Sequence, residues 1–217
     1  MNDMLRMQKE EANQAFAKFV KRNYEQWIAN ADERPLISPD VFKRCIFPRL
    51  SAGRKVFLLV LDNLRFDQWR AISQDLAEDF DIEEDLYYSI LPTATQYARN
   101  ALFAGLMPRQ IKEMYPELWV DEEEDEGKNL NEEMLIRRQL ERYRRKEDFS
   151  YHKINDSSQV DKVLNQISGT NLPLNVLVIN FIDILSHART ESQMVRELAG
   201  NESAYRSITL SWFRHTP

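Results

Sequence analysis

Lys55-Val56-Phe57-Leu58-Leu59-Val60-Leu61-Asp62-Asn63 decides the fold class of this chain. The six residues from Val56 to Leu61 are apolar on both faces of an extended backbone, bounded upstream by Ala52-Gly53. Such a run is the signature of a central strand in a helix-covered, mostly parallel sheet. Leu174-Asn175-Val176-Leu177-Val178-Ile179-Asn180-Phe181 repeats the pattern and again leads to an aspartate, Asp183. Between the two, patterning predicts a helix over 64–78, a strand over 83–90, and helices over 95–104, 131–144 and 158–167. Upstream, Phe16, Phe19, Val20, Trp27 and Ile28 share one face of a helix filling the first thirty residues. Ser38-Pro39-Asp40 opens a short second helix, expected to run through Phe42, Ile46 and Phe47 and stop around Pro48. Strands alternating with helices give an α/β fold: a mostly parallel sheet flanked by helices, with an N-terminal helical segment.

Composition narrows the functions available. Lys plus Arg number 29 against 35 Asp plus Glu, a net charge of −6, which disfavours coating duplex DNA. A phosphorylated small substrate stays compatible, because a metal ion can supply positive charge locally. Apolar content of 43% supports a real core, and five glycines with eight prolines argue against a turn-rich all-β sandwich. The longest apolar run is too short to span a bilayer, so no membrane insertion is expected. The start, MNDMLRMQKEE, lacks the apolar stretch of a secretory signal, and a single cysteine, Cys45, points to a reducing cytoplasm. Asp121-Glu122-Glu123-Glu124-Asp125-Glu126 reads as a solvated loop, and the basic run from Arg137 to Lys146 as an exposed helix face or an anion contact. The oligomeric state is left open, a homodimer included.

Ligands of open parallel sheets bind outside the carboxyl ends of the strands. Asp62 follows one apolar strand directly, and Asp183 follows the other after Phe181-Ile182. Two carboxylates at one sheet edge are costly unless a cation or hydrogen-bond donors satisfy them. His187 stands four residues after Asp183, so a helical turn aims both the same way, as ligands for Zn²⁺ or a similar ion. With fifteen aspartates among 217 residues, one of three histidines has such a neighbour by accident about one time in five. Position, rather than spacing, carries the pair. Thr93 and Thr95 lie at the start of a helix, where a threonine is most often an N-cap. The same place suits a phosphate, and a nearby metal can activate the hydroxyl as a nucleophile. Arg99, one turn later, is placed to brace an anion.

Segment 92–108 resembles the nucleophile segment of the alkaline phosphatase superfamily: Thr95 opens a helix ten residues before Gly105, Pro108 follows, and Arg99 stands four after Thr95. VLDNLRFDQW resembles that superfamily's first metal motif through Asp62, and FIDILSHAR its Asp-x-x-x-His element through Asp183 and His187. Within the superfamily the likeness is to PglZ domains, and more narrowly to PorX-type response regulators of the type IX secretion system. DNLRFDQWRAI, EEDLYYSILPTATQYARNALFAGLMP, VDEEEDEGKNLNEE, FSYHKIND and INFIDILSHAR carry it. The resemblance implies residues 1–50 as the end of a connecting helical bundle and 51–217 as the first part of a PglZ domain. An upstream receiver domain, and a later Asp-His pair with a last histidine, would belong to the complete protein.

The same resemblance implies two Zn²⁺ ions, with Asp62 and Thr95 from one site and Asp183 and His187 from the other. Thr95 would be the nucleophile of a phosphodiesterase, with Arg99 or backbone N–H groups holding the phosphoryl oxygens. The substrates would be phosphoesters of the oligonucleotide or cyclic-dinucleotide type. A chain holding only half of each site is expected to be inactive alone. The competing expectation is a non-catalytic regulatory module that binds a protein or a nucleotide. A receiver domain is excluded, because it needs an acidic pair ending an earlier strand and no strand precedes Val56.

Overall fold

The computed structural model of the protein describes residues 2–120, 130–191 and 202–215, together with 193 and 197. The acidic run at 121–126 lies outside these residues. Three strands of equal length, β1 (Val56–Leu61), β2 (Phe149–Ile154) and β3 (Leu174–Ile179), lie parallel in the order β1-β3-β2. Their register is flush: Val56 and Phe149 both pair with Leu174, and Leu61 and Ile154 both pair with Ile179. All three chains therefore leave the sheet at one level, which gathers the residues that follow each strand.

β3, in the middle, buries all six of its residues. Asn175 is tolerated there because Ser150 Oγ donates to its Oδ1 at 2.9 Å and its Nδ2 donates to Leu172 O at 3.1 Å. Left unpaired, that amide would cost about 1–3 kcal/mol. β1 has the same apolar character but stands at the edge, with Phe57 and Leu59 about half exposed. The pattern expected of a central strand thus fits β3, whereas the face of β1 that carries Phe57 and Leu59 is only half covered.

Nine α-helices surround the sheet among the described residues. They are α1 (Asn2–Ala29), α2 (Phe47–Ser51), α3 (Phe66–Leu76), α4 (Thr95–Ala104), α5 (Pro108–Met114), α6 (Glu132–Arg142), α7 (Val160–Ser168), α8 (Phe181–Glu191) and α9 (Glu202–His215). One face of the sheet meets α4 and α6, where Phe42, Phe103, Leu135 and Ile136 pack with Leu174, Val176 and Val178. The opposite face takes α7, whose Val160, Val163 and Ile167 cover Ile154, Leu177 and Ile179. The strand alternation sorts these residues, even numbers to one layer and odd to the other along β3. Each fully buried aliphatic side chain contributes about 1.5–3 kcal/mol. No helix among the described residues is long and apolar enough to cross a membrane.

Two expectations are corrected by the structure. Residues 83–90 form no strand: they run extended beside Leu36 and Ser38 through a single bridge, Ile37 to Tyr88. Their aromatic side chains serve α1 instead, Tyr88 packing on Trp27 at 4.8 Å and on Phe16 at 6.2 Å. Pro48 does not stop the second helical stretch but sits in the first turn of α2. A five-residue turn of i→i+5 type, Phe42–Ile46, precedes it, and the first turn of a helix needs no donor from proline. β2 gives no strand signal in the sequence: FSYHKI has no apolar run, its alternation breaks at His152-Lys153, and it follows a charged stretch.

Gly105 explains the ten-residue interval noted in the sequence. It closes α4 in the left-handed region (φ 61°), so Thr95 and Gly105 are the two ends of one helix. A side chain there would lie 2.1 Å from Gln139 Nε2. Arg142, from the basic run, donates to the carbonyls of Ala104 and Gly105 at 2.5 and 3.2 Å and so caps the same helix end.

Candidate active site at the strand tips

The flush register delivers Asp62, Asn155 and Asn180 directly beyond β1, β2 and β3. Asp62 N–H donates to Ile179 O at 3.1 Å, so the aspartate belongs to the last rung of the sheet. The next residue, Asn63, turns the chain away in the left-handed region (φ 60°), which asparagine tolerates better than most residues. Its Nδ2 donates to Asp183 Oδ1 at 3.4 Å. Asp183 lies in the first turn of α8, and His187, one turn on, brings Nε2 to 3.7 Å from the same oxygen.

α4 points its N-terminus at this edge. Thr95 is its first residue and Ala94 the N-cap, which offers no capping side chain. The threonine hydroxyl is therefore not an N-cap: it donates to Asp62 Oδ2 at 3.3 Å. Tyr97 N–H is taken up by Ala94 O at 2.9 Å, which leaves the N–H groups of Thr95 and Gln96 facing the strand tips, where the helix dipole places positive potential.

Arg99 follows one turn later, its side chain 6% exposed. Nη1 donates to Asp62 Oδ2 at 2.8 Å and to Asn180 Oδ1 at 3.1 Å. Nε donates to Glu132 Oε1, and the other oxygen of that fully buried glutamate accepts from Tyr151 Oη and lies 2.9 Å from Lys153 Nζ. Two cations and two carboxylates are thus interlocked beneath the strand tips. Burial raises the pKa of Asp62; the Arg99 guanidinium opposes that rise, and the charge of Asp183 adds to it. Burial, reinforced by Glu132, likewise holds the Tyr151 phenol far above its ordinary value.

Asp62, Asn63, Tyr87, Thr93, Thr95 and Arg99 line a cavity of about 240 Å³. Three residues singled out in the sequence, Asp62, Thr95 and Arg99, therefore share one wall. Asp183 and His187 form a second pair beside it, coupled to Asp62 through charge and to Asn63 by a hydrogen bond. Thr93 reaches the cavity without a hydrogen bond to either carboxylate. Segment 87–93 also touches α1: Leu91 N–H donates to Tyr24 Oη at 2.6 Å, and Tyr87, Ser89 and Thr93 line a crevice shared with Phe16 and Trp27.

The donor chemistry, carboxylate with hydroxyl and carboxylate with imidazole, fits divalent cations. The number does not close a shell. Among the described residues no group of three or more His, Cys, Asp or Glu side chains is placed to hold an ion. Asp62 with Thr95 and Asp183 with His187 are thus two separate pairs of donors, and the positive charge beside Asp62 comes from Arg99.

Glu132, Asn180 and Asn63 were not foreseen from sequence. Asn180 and Asn63 sit at strand tips, so the sheet-edge rule that found Asp62 reaches them once short polar side chains are included. Glu132 carries no such signal, since an acidic residue in a helix's first turn is ordinary.

A family model described as the BREX system PglZ alkaline phosphatase-like domain matches residues 41–211. A second, described as the PorX response regulator linker domain, matches residues 1–28, most of α1. No curated protein matches the chain. The superfamily of the larger match generally uses metal ions, in keeping with the paired donors at the strand tips. By that match over most of its length, the chain belongs to the PglZ alkaline phosphatase-like domain family.

Proposed function

We propose that this chain is part of a metal-dependent phosphodiesterase, the effector of a response regulator, with Thr95 as its nucleophile. One observation carries the proposal: the Thr95 hydroxyl is held 3.3 Å from Asp62 Oδ2, on the wall of a cavity and at a helix N-terminus. Asp62 and Thr95 would hold one ion and Asp183 and His187 the other, with Zn²⁺ the metal the family resemblance implies and the imidazole of His187 suits, and further donors completing each shell. When bound, such ions lower the pKa of the attacking hydroxyl and neutralise phosphoryl oxygens.

The chain's own residues supply the rest. Asp62 Oδ2 orients the Thr95 hydroxyl and is the acceptor already in place for its proton. As Thr95 Oγ bonds to phosphorus in line, the bond to the leaving alkoxide breaks, giving phosphothreonine; water then cleaves the Oγ–P bond and restores the hydroxyl. The N–H groups of Thr95 and Gln96 at the start of α4 would face the non-bridging oxygens. Arg99 braces Asp62 through Nη1, with Nε on Glu132 and a further bond to Asn180, and because it also lines the cavity it would share the phosphoryl oxygens with those N–H groups. Substrates of the oligonucleotide or cyclic-dinucleotide class and a role in type IX secretion belong to the same proposal. So do an upstream receiver domain, a helical 1–50 segment joining it to the domain from 51 onward, and a cytoplasmic setting.

The test is turnover of bis(p-nitrophenyl) phosphate by the full-length protein, with and without chelator. Chelator-sensitive hydrolysis that disappears in Thr95→Ala supports the proposal. Hydrolysis at the wild-type rate in Thr95→Ala refutes the nucleophile. Two protein donors per ion favour a second reading, a regulatory module that binds a protein or nucleotide without turnover. It would show no chelator-sensitive hydrolysis at all.

A further inference from the structure

Glu132 opens α6 with its carboxylate wholly buried, lies outside the cavity wall, and has no part in the chemistry above. A buried carboxylate persists only where partners satisfy both oxygens. Here Oε1 accepts from Arg99 Nε, while Oε2 accepts from Tyr151 Oη and faces Lys153 Nζ at 2.9 Å. The dipole of α6 adds to the stabilisation.

The consequence lies on the far side of the guanidinium. That group is planar and rigid, so fixing Nε also fixes where Nη1 points. Arg99 Nη1 reaches Asp62 Oδ2 at 2.8 Å, and Thr95 Oγ donates to that same oxygen. Among the described residues nothing donates to Asp62 Oδ1. An arginine free to choose would pair with a carboxylate through two parallel bonds and occupy both oxygens. Asn180 Oδ1, 3.1 Å from Nη1, holds the guanidinium from a third direction.

We propose that Glu132 is a positioning residue, which draws Arg99 back so that it engages Asp62 through one oxygen and leaves the other open to an incoming cation. This role presupposes the phosphodiesterase site proposed above. Without the glutamate's charge, Arg99 swings to a bidentate grip on Asp62 and competes with the ion.

The experiment compares Glu132→Gln and Tyr151→Phe with wild type in the full-length protein. Three quantities are read: Zn²⁺ affinity by competition with a chromophoric chelator, kcat and KM on bis(p-nitrophenyl) phosphate, and the Arg99 Nε–H resonance. In Glu132→Gln, zinc affinity and kcat per folded molecule fall by about 10- to 100-fold, as expected for a residue behind a metal ligand. KM holds, and the Nε–H signal moves upfield. Tyr151→Phe keeps the charge pair and shows the same changes at smaller size. Folded Glu132→Gln with wild-type zinc affinity and kcat overturns the proposal. If that variant does not fold, Tyr151→Phe and Lys153→Met decide. Losses of zinc affinity at unchanged melting temperature support the role, and wild-type values in both overturn it. Wild-type turnover in Thr95→Ala would instead remove the nucleophile assignment, and a wild type without chelator-sensitive turnover would remove the phosphodiesterase function itself. An inactive Thr95→Ala beside an unimpaired Glu132→Gln removes only the positioning role.

Discussion

Asp62 and Asp183 follow neighbouring strands of one sheet and meet opposite surroundings. Asp62, 18% exposed, is caged by Arg99 and Thr95 from a helix packed into the core. Asp183, 28% exposed, faces His187, a side chain 69% exposed on a helix at the surface. The difference comes from what each helix covers. α4 is buried from Arg99 to Ala104, so whatever it presents to the strand tips is rigidly set. Among the described residues α8 packs through Phe181, Ile182 and Leu185, while Ile184 and His187 on its other side are exposed. One carboxylate is preorganised by protein charge, and the other meets only two long contacts, Asn63 Nδ2 at 3.4 Å and His187 Nε2 at 3.7 Å.

That contrast can be broken most forcefully at Thr95. Thr95→Ala removes one hydrogen bond to Asp62 and should leave the fold intact, yet lower phosphodiester turnover by roughly a thousandfold or more. Steady-state kinetics on folded protein checks it. Arg99→Ala attacks the cage itself: it leaves Asp62 without its cation and Glu132 with Lys153 alone, and should lower unfolding free energy by about 3–5 kcal/mol, read from the urea midpoint at constant slope. Asp183→Asn sharpens the comparison from the open side. Stability should shift by no more than about 0.5 kcal/mol, while zinc binding at that half-site is lost. An Asp183 variant as unstable as Arg99→Ala would erase the distinction between the two carboxylates.

The smallest effect is expected at a carboxylate remote from both. Asp75 on α3 meets Arg214 of α9 at 2.6 Å on the surface, and this partner lowers its pKa. A depressed carboxylate stabilises above its unfolded pKa, and that contribution disappears as pH falls through the folded value. Wild type should therefore melt slightly above Asp75→Asn at neutral pH, the gap closing below about pH 4 and shrinking in high salt.

How much of this was legible in the sequence depends on the range of the interaction. β1, β3 and α4 announce themselves by local period and by the Thr95-to-Gly105 interval, and Asp62, Asp183 and His187 by their place beyond strands. The strand expected over 83–90 failed because alternation cannot tell a sheet partner from a helix, and Tyr88 found α1. β2 was missed because Tyr151 and Lys153 are polar for a reason lying elsewhere: both face Glu132. Glu132 and Arg99 stand 33 residues apart in sequence, a separation no local pattern encodes. Charge networks closed by tertiary packing are what a single sequence conceals.

The central claim is that the oxygen of Thr95 bonds to phosphorus. Its most direct test is mass spectrometry of the full-length protein, acid-quenched during turnover of a phosphodiester. The expected result is a phosphate on the peptide carrying residue 95, absent from Thr95→Ala. Turnover proceeding with that peptide unmodified, or with the phosphate on another residue, would contradict it.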